Sequence, residues 1–208
     1  VESIAEKIER LNSKDWTKGG FAKQNWGVWM HSISSYVGRI KPAFAHHLID
    51  IFSKEGDLVL DPFCGVGTVP LEADIMGRLS VANDLNPYAN IVTRAKFDRR
   101  GLDEELKYLR QIENLTGDPD LGVVPEWVRV FYHEKTLREI LLVRDRLVKD
   151  QRDFLLGCLL GIVHGHRNQH LSMRTGYIIP YIPKPTPVAE YREVIPRLIA
   201  KAKRMYSD

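Results

Sequence analysis

The chain has 208 residues, 44% of them hydrophobic and 27% charged, with 30 Lys and Arg against 27 Asp and Glu for a formal net charge of +3. This is the composition of a soluble globular protein able to bury one good core, or a core with an appended subdomain. A charge of +3 excludes a polycationic field over the whole molecule but leaves room for a local basic face that meets phosphates. Cys64 and Cys158 are too few for a disulfide framework and are expected to be reduced, which points to the cytoplasm. The longest apolar stretch, 154–163, is about 10 residues against the ~20 needed to span a bilayer, so no membrane is expected as a partner. The start, Val1-Glu2-Ser3, is neither a signal peptide nor a natural initiation site, and residues are expected to be missing there.

In chain order, residues 2–12 have helical spacing, with Ile4, Ile8 and Leu11 on one face. Residues 15–40 read as irregular, rich in Gly and aromatics. Among these, Trp16, Trp26 and Trp29 are expected to serve packing and not base stacking. Helical character returns over 42–52, where Pro42 suits a first turn. A loop over 53–57 leads into a strand, Leu58-Val59-Leu60, that ends at Asp61. A helix over 68–76 is closed by Gly77, a second strand covers 79–83 and ends on Asp84, and a helix follows over 87–99. No third strand then comes promptly. Residues 103–115, 134–150 and 153–163 read as helices, 175–187 as a Pro-rich extended stretch, and 190–205 as a last helix. The expected organisation is an α/β portion over 1–100 followed by a mainly helical region over 101–208, a target-recognition or interface segment. The sheet reads as unfinished, because a stable open sheet needs more than two strands.

The strand, the Gly-rich turn and the helix after it form an arrangement on which nucleotide-like cofactors sit. Gly65 and Gly67 permit tight turning and close approach to a ligand. Asp61 is placed at the sheet rim, able to hold the turn or a cofactor ammonium. Phe63 offers an apolar wall, and Thr68 can cap the following helix with its hydroxyl. A strand-to-helix turn with no ligand is the bland alternative. A dinucleotide fingerprint wants a third glycine where Pro70 stands, which tilts the ligand from a pyrophosphate toward S-adenosylmethionine. Asp84 lies 19 positions beyond Gly65, where a carboxylate can accept from a ribose hydroxyl pair, although a turn aspartate before Asn86-Pro87 reads the same way.

Asp61-Pro62-Phe63-Cys64-Gly65-Val66-Gly67-Thr68 resembles motif I of S-adenosylmethionine-dependent DNA methyltransferases that modify exocyclic amino groups of cytosine or adenine. Upstream, His31 to Pro42, including Tyr36 and Lys41-Pro42, is similar to the family's motif X, which closes over the cofactor's methionine end. Downstream, Glu72-Ala73, Gly77-Arg78 and Asn83-Asp84-Leu85-Asn86-Pro87 resemble the motif I helix and the motif II acidic loop. The resemblance covers roughly residues 31–97. It implies a Rossmann-like methyltransferase fold with an incomplete sheet and a helical insertion, S-adenosylmethionine as cofactor and DNA as partner. It also implies Tyr36, Lys41, Pro42, Asp61, Pro62, Phe63, Gly65, Gly67, Thr68, Asp84 and Leu85 as cofactor-binding residues.

The family's catalytic Ser/Asp/Asn-Pro-Pro-aromatic tetrapeptide, which grips a flipped-out base, does not occur in the 208 residues. Asn86-Pro87-Tyr88 lacks the second proline and Ile179-Pro180-Tyr181-Ile182 lacks the polar first residue. The tetrapeptide is expected on a C-terminal segment or a second chain. A silent S-adenosylmethionine-binding subunit, acting as an interaction module, is one alternative. The other is a tRNA guanosine amino-methyltransferase, which shares the turn. Cys64 sits inside the turn and not in a Pro-Cys pair, which argues against a covalent cytosine mechanism. His164, His166 and His170 have no Cys or carboxylate partners at ligand spacing, so no metal is expected. With Arg167 and Arg174 they suit either phosphate contacts or structural polar contacts. The basic pairs Arg99-Arg100, Arg144/Arg146 and Lys201/Lys203/Arg204 read as solvated helix faces, with a phosphate track as the alternative.

Overall fold

Ser3 starts the first helix, α1 (Ile4–Asn12), through a capping box: its hydroxyl accepts from the Glu6 N–H, and the Glu6 carboxylate accepts from the Ser3 N–H at 2.6 Å. The computed structural model describes residues 2–15, 18–23, 26–98, 100–165, 167–173 and 188–207. No residue of α1 is buried, and Ile4 and Ile8 of its apolar face stay exposed although the helix touches α3. The segment read as irregular holds a short helix, α2 (Gly19–Ala22), and a 3-10 turn at Trp29–Ser32. Pro42 occupies the first turn of α3 (Pro42–Phe52), where a missing N–H costs nothing.

Strand β1 (Leu58–Asp61) runs into the glycine turn and then into α4 (Thr68–Ile75). Strand β2 (Leu79–Ala82) pairs parallel to β1, with Leu58 opposite Leu79 and Asp61 opposite Ala82, and α5 (Pro87–Phe97) follows. Among the described residues the sheet has these two strands. Helix α4 packs against both strands and against α3. The alternation of the strands leaves Leu58, Leu60, Leu79 and Val81 exposed. The core of this first unit, Val1–Phe97, gathers Ile33, Ala45, Ile51, Val66, Leu71, Ala73 and Val92. The architecture is mixed, helices with a small parallel sheet.

The second unit, Asp98–Ser207, is helical in its described residues. It comprises α6 (Leu102–Gln111), a 3-10 turn at Leu121–Val123, α7 (Glu126–Arg129), α8 (Glu134–Lys149), α9 (Asp153–Val163) and α10 (Val194–Met205). Helices α8, α9 and α10 pack on one another and α6 packs on α10, enclosing Leu109, Leu147, Phe154, Leu155, Leu159 and Leu198. The last helix begins at Val194 and not at 190: Thr136 takes up the N–H of Arg192 ahead of it, and Glu139 takes up the N–H of Val194, which a helix starting at 190 would have given to the carbonyl of residue 190. Trp16, Arg99, His166, Arg174 and the stretch expected to be extended, 175–187, lie outside the described residues. No helix in the described residues is long and apolar enough to cross a membrane.

Candidate functional site

The turn after β1 is held by its neighbour strand. Asn83 donates its N–H to the Asp61 carbonyl at 3.0 Å, and its own carbonyl accepts from the Cys64 N–H at 2.9 Å. The chain then reverses through Gly65 (φ 51°) and Gly67 (φ 71°), both in the left-handed region that side chains resist. Gly67 donates to the Cys64 carbonyl at 2.9 Å, and the Thr93 hydroxyl donates to the Gly65 carbonyl at 3.1 Å. Asp61 turns its carboxylate back on the loop and accepts from the Phe63 N–H at 3.2 Å.

Asp84 closes the arrangement. One carboxylate oxygen accepts from the Gly65 N–H and the other from the Asn86 N–H, each at 2.8 Å. Those two bonds use half of a carboxylate's acceptor capacity, so both oxygens can still take a hydroxyl donor. The Asp84 carbonyl is in turn held by the Asn90 amide at 2.9 Å. The second acidic loop and the glycine turn are thereby one hydrogen-bonded piece.

Tyr36 reaches the same place from the segment before α3. Its ring lies parallel to that of Tyr88, with centroids 6.2 Å apart, and a Cβ on Gly65 would stand 3.2 Å from its Cε1. The Tyr88 hydroxyl donates to the Ser35 carbonyl at 3.0 Å and pairs with the Ser34 hydroxyl. Burial raises the Tyr88 phenol above its ordinary range, so it remains a donor. Phe63 and Leu85 flank the turn as exposed apolar side chains, 85% and 95% exposed. Lys41 precedes α3, its carbonyl accepting from the N–H groups of Phe44 and Ala45, and Pro42 is buried. Pro62 is exposed beside Phe63.

Thr68 does not cap the helix. Gly67 occupies the cap position in its left-handed conformation, and the Thr68 hydroxyl is carried inward, buried with no hydrogen-bond partner among the described residues. Cys64 is buried, and burial pushes its thiol up, away from the nucleophilic thiolate.

One pairing was not foreseen, although His31 and Glu72 each lie in a stretch that resembles a family motif. The Glu72 carboxylate, buried in α4, accepts from His31 Nε2 at 2.6 Å and from His46 Nδ1 at 2.8 Å. The buried Lys96 amine has no hydrogen-bond partner among the described residues. Partners 41 and 26 positions apart fall outside any local pattern.

In the second unit, His164 stacks edge-on against Phe131, and the N–H of Arg167 reaches His170 Nδ1 at 3.1 Å. Among the described residues no group of three His, Cys, Asp or Glu side chains could hold a metal ion. Arg100 and Arg146 are engaged in ion pairs with Asp98 and Asp150.

The profile of the DNA methylase family matches residues 10–94, the stretch that contains this turn, Tyr36 and Asp84. The chain is similar to the type II methyltransferase M.MjaII of Methanocaldococcus jannaschii, 23% identical over 128 residues, which is 56% of this chain and 24% of that protein. It is also similar to the tRNA (guanine(10)-N2)-dimethyltransferase of Methanothermobacter thermautotrophicus, 28% identical over 98 residues, 42% of this chain and 29% of that protein. The chain thus spans about a quarter of the length of these curated relatives. No solved structure matches it. Residues 10–94 of this chain are thus similar to the DNA methylase family.

Proposed function

We propose that the glycine turn binds S-adenosylmethionine and that the protein takes part in methyl transfer to an exocyclic amino group of cytosine or adenine in DNA. The hydrogen bond from the Gly65 N–H to Asp84 carries this reading, because it presets turn and carboxylate as one ligand frame. The residues present fit the cofactor's parts. Asp84 keeps two acceptor sites for the ribose hydroxyls, and Gly65 and Gly67 let the backbone come close to the ligand. Leu85 and Phe63 offer apolar edges, Pro62 borders them, and Asp61 stands at the rim for the ammonium. Tyr36, with Lys41 and Pro42 behind it, borders the methionine side, and Thr68 lines the start of the helix.

The cofactor would supply a methyl group on a sulfonium centre. The protein's part is orientation: fixing that centre so that an amine can approach in line, with no metal and no covalent intermediate.

The fold read here is Rossmann-like, with residues 1–100 as its cofactor-binding portion and 101–208 as a helical insertion that serves target recognition or an interface. The exposed face made by Leu58, Leu60, Leu79 and Val81 supports a sheet that more polypeptide completes, from a C-terminal segment or a second chain that brings the Pro-Pro-aromatic tetrapeptide. Two reduced cysteines fit a cytoplasmic protein.

The similarity to a tRNA dimethyltransferase supports a second reading, transfer to guanosine in tRNA. Calorimetry with S-adenosylmethionine tests the cofactor: binding by the wild type and at least a tenfold loss in Asp84→Ala are expected, roughly 1.4 kcal/mol. No binding, or equal binding by the variant, overturns it. Methyl incorporation into DNA and not tRNA by the completed enzyme then separates the two substrates.

A further inference from the structure

Helix α4 carries Glu72 five positions after Gly67, facing inward with 2% of its side chain exposed. A carboxylate there has left water, and its compensation comes from two imidazoles. His31, fully buried, donates from Nε2 to one oxygen, and His46 donates from Nδ1 to the other. Burial lowers the His31 pKa below the ordinary histidine value, with Glu72 opposing that shift. The ring is thus neutral near pH 7, with its one hydrogen on Nε2 and Nδ1 left without a partner among the described residues.

What matters is where the two histidines sit. His31 belongs to the 3-10 turn Trp29–Ser32 and His46 to α3, so one carboxylate holds both ends of the segment 31–46. Between those ends lies Tyr36, whose ring stacks on Tyr88 and covers Gly65. The Arg39 guanidinium donates to the His31 carbonyl, adding a second tie within the same segment.

We propose that Glu72 is a positioning residue: through His31 and His46 it seats the Tyr36 segment over the glycine turn and thereby sets the affinity for the cofactor. This rests on the cofactor reading of the turn. Glu72 touches no ligand in this scheme; it acts through the two imidazoles. A carboxylate suits the task because one side chain can accept from two donors along different directions, which a single hydroxyl cannot do with equal strength.

The test compares wild type, Glu72→Leu, Glu72→Gln and His46→Phe by calorimetry with S-adenosylmethionine and by the amide signals of Gly65 and Gly67 in [15N]glycine-labelled protein. Glu72→Leu keeps the volume and removes both bonds. It is expected to lose at least tenfold in affinity and to shift the Gly65 signal in the absence of cofactor. Glu72→Gln, whose amide can pair with both rings after a tautomer change, is expected to restore most of the affinity. His46→Phe breaks only the half-exposed arm and carries the test if Glu72→Leu does not fold. Wild-type affinity together with unmoved glycine signals in the Leu and Phe variants overturns the proposal. If the wild type itself binds no S-adenosylmethionine, the cofactor reading fails, and the glycine signals alone decide whether the clamp exists.

Discussion

Lys96 lies in α5 with 3% of its surface exposed and no hydrogen-bond partner for its amine among the described residues. Burial lowers its pKa from 10.5 to about 7, and the Arg39 charge adds to the shift while Cys64 and Glu72 oppose it. The unfolded chain therefore holds more protons than the folded one between about pH 7 and 10.5, so folding stability climbs as pH rises through that window. Below pH 7 the charging penalty is fully present; above 10.5 it is gone. Replacing the amine with a methionine of similar length removes the penalty. Lys96→Met is expected to stabilise the protein by about 1–4 kcal/mol in urea denaturation at pH 6.5, the range seen when buried charges become well-packed apolar groups. The gain should shrink steadily as the pH is raised to 10, and a gain that is flat with pH would show the amine to be hydrated after all. None of this was legible in the sequence, where Lys96 is one of several basic residues at the end of a helix. The Glu72 cluster was hidden for the same reason: its partners lie far away along the chain, and local periodicity cannot report them. Asp84 was legible, because its spacing from Gly65 is itself the signal. Its bond to the Gly65 N–H was not foreseen.

The unit formed by β1, the turn and α4 shows why some of the fold was readable. An apolar run, two glycines and a helix-forming stretch specify it locally, and both strand ends fell within a residue or two of expectation. The miss was Thr68, taken as a helix cap by its hydroxyl. A glycine in the left-handed region had already turned the chain, so the threonine entered the helix and its hydroxyl was buried. That geometry makes Gly67 the most sensitive point of the element. A Cβ there meets a φ of +71° and stands 2.8 Å from the Thr93 hydroxyl and 2.9 Å from its methyl. Gly56, in the loop before β1, has a φ of +83° with nothing within 4 Å. Gly56→Ala is expected to cost about 1 kcal/mol from backbone strain alone, whereas Gly67→Ala adds the clash and should cost roughly 2–4 kcal/mol. Urea midpoints measure both. Combining Gly67→Ala with Thr93→Ala should recover part of the difference, and equal costs at the two glycines would show that Thr93 simply moves aside. At the chain's other end the hydrophobic pattern placed α8 and α9 well, yet α7 and the turn at Leu121–Val123 went unforeseen, being too short to carry a period.

For the molecule as a whole, the unequal distribution of chemistry decides what it can do. Everything the cofactor reading needs lies within the first unit, in 31–42, the glycine turn and the acidic loop. Nothing in the 208 residues supplies the polar-Pro-Pro-aromatic tetrapeptide that grips a target base. Binding a methyl donor and transferring its methyl group are separable events. The first needs a frame for ribose and methionine. The second needs an amine held in line with the sulfonium, and misplacement by about 1 Å can cost two orders of magnitude in rate. Without groups to extrude and seat the base, that alignment is left to diffusion, so the frame alone should contribute almost nothing to transfer. The expectation is therefore that this chain, given tritiated S-adenosylmethionine and unmethylated DNA, retains the cofactor on a filter and leaves the DNA unlabelled. Adding a polypeptide that carries the tetrapeptide and covers the Leu58, Leu60, Leu79 and Val81 face should turn labelling on, and Leu60→Lys should block that rescue while leaving cofactor retention intact. Labelled DNA from the chain alone would mean that a different set of residues seats the base. His164 and His170 would be the first to examine, since they bring side-chain polar groups to one short segment of the second unit. Rescue undiminished by Leu60→Lys would show instead that the exposed strand face is not where the missing part attaches.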